Sequence, residues 1–156
     1  MGAVYFYHLT DSPLEAALPE LLSRSLQAGW RVAVRGRDAE RLDWLDQKLW
    51  LGRDDAFLPH GLAGGPHDVA QPILLTLEDA NPNGAACVMS VDGAALEAPE
   101  VEALERACIL FDGNDPDAVQ HAREQWKSLT SAGCAALYWA QENGRWIKKA
   151  ESAGAD

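Results

Sequence analysis

Apolar positions along this chain fall into two alternating periods. Val4–Leu9 (VYFYHL) is dense in strand formers and predicts a first strand. Leu14, Ala17, Leu18, Leu21, Leu22 and Leu26 then recur at helical spacing. Ser12 stands where an N-cap is expected and Pro13 at the first helical position. Pro19 predicts a restart or a kink within that helix, and Ala28-Gly29 its end. Trp30–Val34 reads as a second strand. Asp38 caps the next helix, whose buried stripe is Leu42, Leu45 and Leu49, with Trp44 on the opposite side. Three short apolar runs follow, Pro72–Leu77, Ala86–Val91 and Ala107–Phe111, each with the signature of a buried strand. Between them lie the turn cluster Asn81–Gly84 and a helical segment, Leu96–Arg106, with Pro99 near its start. Asp115-Pro116 opens a last helix that runs to about Ala132, stopped by Gly133. Ala136–Ala140 and Arg145–Lys148 straddle Glu142-Asn143-Gly144, a hairpin signal. The alternation predicts an α/β fold, a three-layer sandwich around a mostly parallel sheet with an antiparallel end. Residues 1–150 are expected to form one domain and 151–156 a disordered tail.

One stretch breaks the pattern. Leu49–Gly64 (LWLGRDDAFLPHGLAG) carries two large aromatics, Trp50 and Phe57, among Gly52, Asp54, Asp55, Pro59 and Gly61. These turn-formers predict a loop with no regular element. A loop with large apolar side chains must bury them beneath itself or present them to a partner.

Charge narrows the function classes. The chain has 24 acidic against 13 basic residues in 156, a formal net charge of −11. Direct nucleic-acid binding is not expected, because it needs a basic footprint. No apolar run is long enough to span a bilayer, and the first residues lack the character of a signal peptide, so no membrane is expected. Cys87, Cys108 and Cys134 are odd in number and widely spaced, two of them inside apolar runs. A reduced, cytoplasmic setting is expected.

Candidate catalytic chemistry is sparse. Ala107–Asp112 is an apolar strand ending in aspartate, but no glycine-rich loop with lysine precedes a helix, and Gly61–Gly65 lacks the following Lys-Ser/Thr. Asp112, Asn114, Asp115 and Asp117 could surround a hard cation. They lack the glycine and distal glutamate of a calcium loop, and they equally suit capping and turn roles. His60, His67 and His121 are not at ligand spacing, and no nucleophile motif occurs. No catalytic residue, metal or cofactor is expected.

The last helix is more informative. Ala118, Ala122, Gln125 and Leu129 centre the face expected against the sheet, with Val119 and Trp126 along its edge. Arg123 and Lys127 follow one turn apart just beyond. An apolar edge beside two cations suits a short acidic peptide with an aromatic or aliphatic anchor. Equally, Trp126 could be core rim and the cations a solvated face.

In order and spacing, the opening VYFYHL, LWLGRDDAFLPHGLAG, NPNGA at Asn81–Ala85, LFDGNDPDAV at Leu110–Val119 and AREQWK at Ala122–Lys127 resemble the chi subunit of bacterial DNA polymerase III, most closely its alphaproteobacterial branch. No single motif is decisive, but the ordered set spans nearly the whole chain. The resemblance implies a nucleotide-binding-like topology without a nucleotide site, and a non-catalytic adaptor of DNA replication. One face of such a subunit binds the acidic, Phe-terminated C-terminal tail of single-stranded DNA-binding protein; here it falls on Arg123, Trp126 and Lys127, with Val119 where some relatives are basic. A second face joins the clamp loader, through the psi subunit or a substitute, and falls on Trp50 and Phe57. The alternatives are a small nucleotide- or metal-dependent α/β enzyme using the Asp112–Asp117 loop, and an interaction subunit of another assembly.

Overall fold

A computed structural model describes residues 2–50, 60–64, 68–77 and 83–152, the side chain of Trp50 excepted. Eight strands and four helices alternate through it: β1 (Ala3–Leu9), α1 (Leu14–Gln27), β2 (Val32–Arg35), α2 (Ala39–Trp50), β3 (His60–Leu62), β4 (Ile73–Thr76), β5 (Cys87–Ser90), α3 (Ala98–Ala103), β6 (Arg106–Asp112), α4 (Pro116–Ser131), β7 (Ala135–Glu142) and β8 (Arg145–Ser152). The strands form one sheet in the order β3-β4-β2-β5-β6-β1-β7-β8. Every pairing is parallel except β7 with β8.

Strand alternation builds a core on each face of the sheet. Tyr7 and Leu9 of β1, Val32 and Val34 of β2, and Cys108 and Leu110 of β6 pack with Leu18, Leu22, Leu42 and Leu45 of α1 and α2. Val4, Phe6, Ala33, Val88 and Ile109 point the other way, onto Val101 of α3 and Ala122 and Leu129 of α4. This is the three-layer α/β sandwich that the alternation predicted. A part-buried ion pair ties α3 to the sheet: the buried Arg35 guanidinium donates twice to the half-buried Glu100, at 2.6 Å each.

The sequence readings hold for most elements and shift at three. Ser12 does not cap α1; Pro13 occupies the N-cap, with no side-chain cap bond. The Ser12 amide donates instead to Gln141 Oε1 at 3.1 Å, as do those of Thr10 (3.1 Å) and Asp11 (3.0 Å), so one carboxamide oxygen gathers three loop amides. Helix α1 runs unbroken through Pro19, neither restarting nor ending there. Its inner face, with Leu18 and Leu22 fully buried, outweighs the one backbone bond that proline removes. A short strand, β3, occupies His60–Leu62 within the stretch expected to be loop throughout. Pairing with β4 satisfies its backbone, a long-range gain that no local propensity reports. Trp44 is half-buried against the core, not turned wholly away, with the Arg41 guanidinium 4.4 Å above its ring.

The hairpin signal is realised in full. Asn143 and Gly144 take φ of 54° and 75°, the left-handed pair that a tight two-residue turn needs. β8 continues to Ser152, past the expected end of the domain. Residues 153–156 of the expected disordered tail lie outside the described residues.

Candidate functional site

Helix α4 follows β6 and crosses the sheet towards β7. Asp115 caps it, its carboxylate accepting the Asp117 amide at 3.0 Å, and Pro116 stands in the first turn. Asp112 closes the preceding turn by accepting the Asn114 amide at 2.9 Å. Asn114 Nδ2 donates to the Thr10 carbonyl at 3.2 Å. The Asp112 and Asp115 carboxylates are thus engaged in turn and cap bonds. Among the described residues, no three His, Cys, Asp or Glu side chains are grouped to hold a metal.

A cleft of about 740 Å³ opens at the carboxyl ends of β1 and β6. From these neighbouring strands α1 and α4 depart to opposite faces, the position at which open α/β sheets hold ligands. Its lining includes Asp11, Asp112, Asp115 and Asp117, and its Arg41 is paired with Asp92 at 3.1 Å. Glu15 and Asp92 add to these carboxylates, and Arg37 and His121 also line the cleft, so acids outnumber cations there.

The outer side of α4 differs in character. Ala122 and Leu129 are buried, Ala118, Val119, Gln125 and Trp126 half-buried, and Arg123 and Lys127 exposed, the order that helical spacing predicts. Trp126 lies edge-on to Phe6 of β1, with ring centroids 5.3 Å apart, and edge-on to Tyr138 of β7 at 6.0 Å. Phe6 and Tyr138 stack at 6.3 Å with an interplanar angle of 11°. The Tyr138 hydroxyl is 2.6 Å from His8 Nδ1, and the His8 ring leans on Phe111 at 5.1 Å. Trp126 therefore stands on a rigid aromatic floor supplied by three strands. Burial pushes the Tyr138 phenol up, and the Arg123 guanidinium opposes the shift, which places that cation within electrostatic reach of the floor.

Arg123 and Lys127 have no carboxylate partner among the described residues. Glu124, their neighbour, is engaged by Gln120 at 3.5 Å. Arg24, Arg35, Arg41, Lys148 and Lys149 are each paired with an acid, whereas Arg31, Arg37, Lys48, Arg106 and Arg145, like Arg123 and Lys127, have no ion pair among the described residues; what sets Arg123 and Lys127 apart is their place one turn apart beside Trp126. In a protein with an excess of acidic groups, two adjacent cations left unmatched beside a half-buried tryptophan form a surface complementary to an anionic, apolar-ended ligand.

The structure brings together Val119, Arg123, Trp126 and Lys127 on one side of α4. Trp50 ends α2, in the layer on the other face of the sheet. The Trp50 side chain and all of Phe57 lie outside the described residues. Sequence reasoning missed the floor of Phe6, His8, Phe111 and Tyr138. Only strand parity signalled it: Phe6 and Tyr138 are neighbours through parallel pairing of segments about 130 residues apart, as the His8–Tyr138 bond shows.

Comparison with known proteins places these observations. The sequence model of the family described as DNA polymerase III chi subunit, HolC, matches residues 1–136. The protein named "Probable DNA polymerase III subunit chi" of Rickettsia prowazekii (strain Madrid E) is 26% identical over 85 residues, which cover 54% of this chain and 52% of that protein. The chain thus spans about half the length of that curated relative. With most of its sequence matched, the chain belongs to the DNA polymerase III chi subunit family.

Proposed function

We propose that this protein is a non-catalytic, cytoplasmic adaptor that links the clamp loader to the C-terminal tail of single-stranded DNA-binding protein. Membership of the chi family supports a replication accessory role. Among the described residues no helix is long and apolar enough to cross a membrane. The observation that carries the tail assignment is the pair of unmatched cations, Arg123 and Lys127, beside Trp126 on its aromatic floor. The tail's apolar end would seat against Trp126 and Val119 while its carboxylates meet the cations. Trp50 and Phe57 would serve the clamp-loader side, through psi or a substitute.

Charge-assisted hydrogen bonds are worth about 1.5–3 kcal/mol, with the lower end expected here because Arg123 is exposed. Arg123→Ala should weaken an acidic, Phe-terminated tail peptide by roughly tenfold, and at most by about a hundredfold. Binding should also fall as salt rises. Calorimetry on the folded variant decides the matter: unchanged affinity would remove α4 as the tail site.

A further inference from the structure

The sheet has two ends. At one, β3 offers only three residues, His60–Leu62. At the other, β8 runs for eight residues, Arg145–Ser152, and among the described residues no strand lies beyond it. Six of those eight, Arg145, Ile147, Lys148, Lys149, Ala150 and Glu151, are exposed. Such an edge presents a row of backbone N–H and C=O groups that another extended chain can pair with. The pairing with β7 shifts register between Tyr138 and Trp139 and leaves Lys149 unpaired, so the regular stretch of this edge is Arg145–Lys148, four residues, with Ala150–Ser152 beyond the bulge.

The charge of this edge is opposite to that of the protein. β8 carries Arg145, Lys148 and Lys149 against Glu151, within a chain whose formal charge is −11. Lys148 is bound to Glu151 at 3.1 Å, and Lys149 to Glu142. Both pairs are solvent-exposed, and exposed pairs exchange partners at little cost. Register sets the side chains. Trp146 opposes Gln141, and its ring lies edge-on to Tyr7 at 5.1 Å, which anchors one side of the strand in the core. Ile147 opposes Ala140 and is 37% exposed, an apolar contact offered on the other side.

We propose that the outer edge of β8 docks an extended, acidic segment of a partner protein, which adds as a ninth strand. Main-chain hydrogen bonds supply the pairing, Arg145, Lys148 and Lys149 select acidic residues, and Ile147 receives one apolar side chain. A second copy of this chain is disfavoured as the occupant. Two β8 edges would bring two net-positive strands together, inside two molecules that already repel through their overall charge. Arg123 and Lys127 belong to α4 and Arg145, Lys148 and Lys149 to β8, so the two sets can be mutated separately.

The test uses an eight-residue peptide of alternating Asp and Val with blocked ends, and a control with Lys in place of Asp. The full-length protein and its Arg123→Ala/Lys127→Ala variant should both bind the acidic peptide, and neither the control. Hydrogen exchange read residue by residue should show alternate β8 amides slowed at least tenfold on binding, a signature that side-chain attraction alone does not produce. Lys148→Glu/Lys149→Glu should weaken binding by about tenfold or more, since it reverses two exposed charges at the edge. Should that variant misfold, β8 protection with the acidic peptide and none with the Lys control carries the same point, and equal protection with both would overturn the charge selection. Binding without β8 protection, binding abolished in the α4 variant, or a dimer of the free protein that itself protects β8 would each overturn the proposal.

Discussion

At the scale of single residues, the candidate site is defined by what its polar groups feel. Gly113 has no side chain because the His8 ring fills the space where a Cβ would stand. His8 in turn meets the Tyr138 hydroxyl, and Tyr138 supports Trp126. The Tyr138 phenol is held above its usual value by burial, with Arg123 pulling the other way. Arg123→Ala should therefore raise it further, a shift readable by NMR of labelled tyrosine; a fall would show that the guanidinium does not favour the ionised phenol. Tyr7 gives a stability test. Burial is the largest cause of its upward shift from the model-compound value of 10.0. The folded protein thus keeps the Tyr7 proton after the unfolded chain has released its own. The sign follows: this contribution is complete below about pH 10 and is lost as pH rises beyond it. Tyr7→Phe should lose less stability than the parent between about pH 8 and about pH 11 in urea melts. Equal alkaline losses would show that the Tyr7 hydroxyl is not held protonated by the fold.

At the scale of elements, α4 shows what sequence can and cannot convey. Its cap, its proline, its buried stripe and its stopping glycine are local, and each stands where spacing predicts. Asp115→Ala removes the bond to the Asp117 amide and should cost about 1 kcal/mol, seen as a lowered midpoint in denaturant. Because Asp112 and Asp115 are already engaged by backbone amides, added magnesium, calcium or ATP should leave the melting temperature unchanged. A ligand that binds the native state raises it, so a reproducible rise would favour the enzyme alternative. The misread elements share one cause. β3 exists through its pairing with β4, α1 survives Pro19 through its buried leucines, and Ser12 gives its amide to Gln141, 129 residues away. The aromatic floor was illegible for the same reason. Residue types at Phe6, His8, Phe111 and Tyr138 fit ordinary strand interiors, and only the order of strands across the sheet gathers them beneath α4.

At the scale of the whole molecule, the adaptor role proposed above requires that two partners be held without one displacing the other. Arg123, Trp126 and Lys127 belong to α4, packed on the same face as α3, whereas α2, which Trp50 ends, packs on the opposite face with α1. The sheet therefore lies between α4 and α2, the helix that Trp50 ends. Large aromatics at interfaces are frequent hot spots, with truncation often costing about 2 kcal/mol or more of binding. If the two rings serve a clamp-loader partner, Trp50→Ala and Phe57→Ala should leave folding nearly intact and abolish co-purification with clamp-loader subunits. Each variant should still bind the tail peptide with the parent's affinity if the two proposed surfaces are separate. If instead the rings are packed into the core, each truncation should cost about 3–5 kcal/mol of stability and lower the soluble yield. A thermal melt paired with a pulldown on each variant separates the two cases. Strong destabilisation with clamp-loader binding retained would place Trp50 and Phe57 in the core and leave the second partner without a surface on α2.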